Sequence, residues 1–61
     1  STAAQSVESM DHALDLLDRK QKRYEQQIDE EVEKAKELMG QGKKQAAINC
    51  MKRKKQYEEM I

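Results

Sequence analysis

The sequence predicts an all-α protein, an antiparallel two-helix hairpin of coiled-coil character with helices at about residues 3–39 and 43–61. Three observations predict it. The 61-residue chain has no proline, and its charged residues, 39% of the total, sit among Glu, Lys and Gln neighbours of high helix propensity. Its apolar residues recur with a heptad period through the first two-thirds of the chain. Both glycines fall together, in Gly40-Gln41-Gly42, where that pattern stops.

The first helix has a start signal in Thr2-Ala3-Ala4-Gln5, a capping box in which the Thr hydroxyl and the Gln amide each satisfy an orphan backbone N–H. One seam register then holds Val7, Leu14, Gln21, Ile28 and Ala35, and the other holds Met10, Leu17, Tyr24, Glu31 and Leu38. Eight of these ten positions are apolar, which predicts an amphipathic helix with a narrow seam that Val32 and Met39 widen. At about 1.5 Å per residue the helix is roughly 55 Å long. Gly40 is the expected left-handed residue that ends it, and Gly42 frees the backbone for the second bend. A link this short returns the second helix antiparallel against the first. At about 100° per residue, Ala46, Ala47, Cys50, Met51, Tyr57 and Ile61 share its packing face. The alanines nearest the bend let the helices approach closely, and the second helix is expected to continue past Ile61.

Size and composition exclude several classes of function. A chain of this length buries only about 60% of its unfolded surface and leans on staples, metals or partners. There is one cysteine, no pair and no metal-spaced Cys/His cluster, so neither a disulfide nor a metal staples it. The free thiol suits a reducing compartment. Periodicity argues against disorder, no apolar run approaches the roughly 18 residues of a membrane span, and no signal peptide is visible. Because it opens on Ser1 rather than Met, the sequence reads as a piece of a longer protein.

Catalysis needs a nucleophile, base or metal set held in a cleft, and a hairpin has no cleft. His12 is an off-seam surface residue, and Cys50, on the packing face, behaves as a small apolar side chain. The acidic run from Asp29 to Lys34 lacks the glycine turn and alternating ligands of a calcium loop, and Glu30 is expected to pair with Lys34. No enzyme activity, metal or cofactor is expected.

Charge supplies the remaining signal. Residues 1–42 carry six Lys/Arg against ten Asp/Glu, a net of −4, and residues 43–61 carry six against two, a net of +4. The run Lys52-Arg53-Lys54-Lys55 points in four directions on a helix. Lys52 and Lys55, about 60° apart, join Lys44 on a face roughly opposite the packing face, with Ile48 in their midst. Arg53 points to one flank of the packing face and Lys54 into it, where its methylenes can cover the neighbouring helix. A leucine-zipper basic region would be followed by heptad leucines, whereas here the heptads come first and no aromatic flanks the run, so nucleic acid is not a predicted partner. For a membrane, each lysine near an anionic leaflet contributes roughly 1 kcal/mol. Three lysines then give about 3 kcal/mol, or about 150-fold, too little for one hairpin but adequate for a linked array. The residues alone leave solvated surface and polymer-borne membrane contact both open.

The order of heptad helix, glycine bend and basic second helix resembles the N-terminal hairpin of ESCRT-III subunits, most of all the Snf-seven type. The residues that carry the likeness are Lys20-Gln21 and Glu25, then Lys44, Ala46-Ala47 and the stretch Met51 to Glu58, reading MKRKKQYE. The resemblance spans essentially the whole chain but only the first two helices of that family's core domain. It implies a cytoplasmic protein, peripheral on endosomal membranes, that polymerises with itself and other ESCRT-III subunits into filaments for sorting and scission. It further implies Lys44, Lys52 and Lys55 as lipid-facing residues, with Ile48 standing where the family has another lysine, and Arg53, Lys54 and Ile48 as subunit contacts. An AAA ATPase and Bro-domain partners are implied through regions outside these residues. The rival expectation is a structural coiled-coil or tether module without membrane contact.

Overall fold

The computed structural model describes residues 2–61. Two helices, α1 (Ala3–Gly40) and α2 (Lys44–Glu59), fold back on each other as an antiparallel hairpin measuring 60 × 15 × 8 Å. The capping box at the start of α1 is formed as expected. The Thr2 hydroxyl accepts from the Gln5 N–H, and the Gln5 side chain accepts from the Thr2 N–H.

The bend corrects one expectation. Gly40 is the last helical residue of α1, and Gly42, at φ 75°, takes the left-handed conformation. The Lys43 N–H donates to the Leu38 carbonyl at 2.9 Å and the Gly42 N–H to Met39 at 3.0 Å. This pair of bonds is a Schellman motif, which places the left-handed residue two positions beyond the helix's last residue, at Gly42. The geometry satisfies carbonyls at the end of α1 while reversing the chain in three residues.

Packing concentrates near this bend. Ala35 and Ala47 face each other across the interface beside Cys50, which is fully buried, and Leu38 closes the cluster. Small side chains at the contact let the two backbones come close, so a short stretch of helix is buried by only a few residues. Further along, the Tyr24 and Tyr57 rings lie 6.1 Å apart, tilted by 30°, and close the other end of the interface. Met60 and Ile61 come to rest beside Leu17 and Tyr24. Met51 and Ile61, expected on the packing face, lie at its edge, 44% and 56% exposed.

Val7, Met10, Leu14 and Leu17 complete the heptad seam of α1, each more than half exposed among the described residues.

Candidate interaction surfaces

Three surfaces follow from this arrangement: an ion-paired flank, an apolar groove, and a basic outer stripe on α2. On the first flank, Glu31 occupies a seam position where the sequence pattern calls for an apolar residue. The Arg53 guanidinium answers it, Nε to Oε2 at 2.6 Å, with the Glu31 side chain only 12% exposed. Another Arg53 nitrogen reaches the Cys50 sulfur at 3.2 Å. The hydrogen bond from Arg53, reinforced by its charge, holds the Glu31 carboxyl below its ordinary range despite the opposing effect of burial. The Arg53 guanidinium is correspondingly held more basic by Glu31. A charged pair joining residues 22 apart fixes the rotation and register of α2 on α1, which the small apolar contact alone specifies weakly.

The opposite flank is apolar. Val32, Ala35 and Met39 of α1 and Ala47, Ile48 and Met51 of α2 line an open groove of about 560 Å³, with Lys36 on its rim. Ile48 was expected to lie roughly opposite the packing face. It sits instead at the edge of this groove, 38% exposed, so its apolar character belongs to the groove as much as to the lysines around it.

Lys44, Lys52 and Lys55 are exposed along the outer side of α2, and none of them makes an ion pair among the described residues. Lys54 differs. Its side chain is 28% exposed and its Nζ lies 3.3 Å from Glu58, in keeping with a stem laid towards the neighbouring helix. On α1 three of the six cations are engaged along the helix surface, Arg19 with Asp15, Lys22 with Asp18, and Lys36 with Glu33. Asp18 raises the basicity of Lys22. Glu30 accepts from Gln26 and not from Lys34 as expected. Both are i, i+4 partners of opposite hand, and the neutral amide wins the carboxylate here.

Sequence reading placed Arg53 on the flank of the packing face but did not connect it to Glu31. The available signal was the acid itself: a carboxylate in a heptad seam needs a cation from the facing helix. Among the described residues there is no cluster of His, Cys, Asp or Glu that could hold a metal ion, and no helix is long and apolar enough to cross a membrane.

The described residues form a slender hairpin with an open apolar groove and segregated charge. The family model for Snf7 matches residues 5–61, and the chain belongs to that family, the Snf7 type of ESCRT-III subunit, whose members are structural and non-enzymatic. It is 38% identical over 61 residues to vacuolar protein sorting-associated protein 32 homolog 2 of Arabidopsis thaliana, covering all of this chain and 28% of that protein. To homolog 1 from the same plant it is 34% identical, covering 29% of that protein. The chain thus spans under a third of the length of these relatives. No solved structure matches it.

Proposed function

We propose that this hairpin is the first two helices of an ESCRT-III core domain, and that its parent protein polymerises on anionic endosomal membranes from the cytoplasmic side to drive sorting and scission. The observation that carries the reading is the outer stripe of α2. Lys44, Lys52 and Lys55 project from one side of the helix with no carboxylate engaging them among the described residues. Their charge is therefore available to a phosphate-bearing surface. The start of α2 adds to it, since Lys43 caps that helix without a side-chain hydrogen bond, and a helix N-terminus favours negative charge.

Affinity then comes from repetition. Three lysines contribute about 3 kcal/mol per hairpin at an anionic leaflet, and a filament multiplies that small term. Ile48, Arg53 and Lys54 are the proposed subunit contacts. Ile48 offers a half-exposed apolar edge, Arg53 keeps 43% of its side chain open beyond Glu31, and Lys54 lies alongside. The AAA ATPase and Bro-domain partners implied by the resemblance would be engaged by segments other than this hairpin.

The test is co-sedimentation of the full-length parent with liposomes, wild type against a Lys44→Glu, Lys52→Glu, Lys55→Glu variant, with and without anionic lipid. Loss of anionic-lipid binding at unchanged helicity supports the reading. Equal sedimentation would instead make the stripe solvated surface and the hairpin a tether module.

A further inference from the structure

We draw no further inference here: the strongest candidate, the open apolar groove between α1 and α2 near the bend, with Val32, Met39, Ile48 and Met51 along it, carries nothing because nothing in the structure shows what covers it.

Discussion

The two glycines of the bend make opposite predictions, although they are two residues apart. A Cβ added at either would meet nothing within 4 Å, so alanine substitution there probes the backbone alone. Gly40 is helical, and alanine in its place removes unfolded-state freedom and improves helix propensity, a gain of about 0.5–1 kcal/mol. Gly42 sits at φ 75°, where an L-residue costs roughly 1–2 kcal/mol. The two variants should therefore differ by about 2 kcal/mol, in a domain whose whole stability is on the order of 3–9 kcal/mol at this length. For a chain of this size 1 kcal/mol moves Tm by about 4–8 °C. Thermal melting followed by circular dichroism should place Gly40→Ala several degrees above wild type and Gly42→Ala about 5–15 °C below it. The modification rate of the buried Cys50 thiol gives an independent reading of hairpin opening and should rise for Gly42→Ala alone. If Gly40→Ala is the destabilised variant, or Gly42→Ala melts like wild type, the Schellman geometry at the bend is wrong.

Two further outcomes follow from the flank that joins the helices. Glu31 has its carboxyl held below the ordinary value of 4.5, so its contribution to stability is complete above that pH and is lost as pH falls through the lower folded-state value. Melting of wild type and Glu31→Gln between pH 7 and pH 3 should show a gap that closes on acidification, and a gap that persists unchanged at pH 3 would contradict it. Arg53→Ala frees both the Glu31 carboxylate and the Cys50 sulfur of their partner, so the thiol should react with aqueous reagents several times faster while α1 keeps its helicity.

Local chemistry made most of the fold legible. The Thr2–Gln5 box, the heptad and the glycine pair are signals contained within a few residues or one period, and each yields an element of the hairpin. What escaped was set by geometry over longer range. Choosing Gly40 over Gly42 as the left-handed residue ignored that the Schellman bonds count from the last helical carbonyls, whose position a propensity pattern leaves uncertain by a turn's fraction. Helical phase located the outer lysines well but missed Ile48 by a flank, because the groove depends on how the two helices are rotated against each other. That rotation is held by Arg53 and Glu31, a contact between residues whose local neighbourhoods give no hint of one another.

The most direct measurement of the central claim is depth on the membrane. In the full-length parent assembled on anionic vesicles, a fluorophore on Glu59→Cys would report the lysine stripe, and one on Glu30→Cys the far side of the hairpin. With a quencher carried in the lipid, the account predicts strong quenching at position 59 and little at position 30. Strong quenching at position 30 alone, or none at either while filaments form on the vesicles, would contradict it.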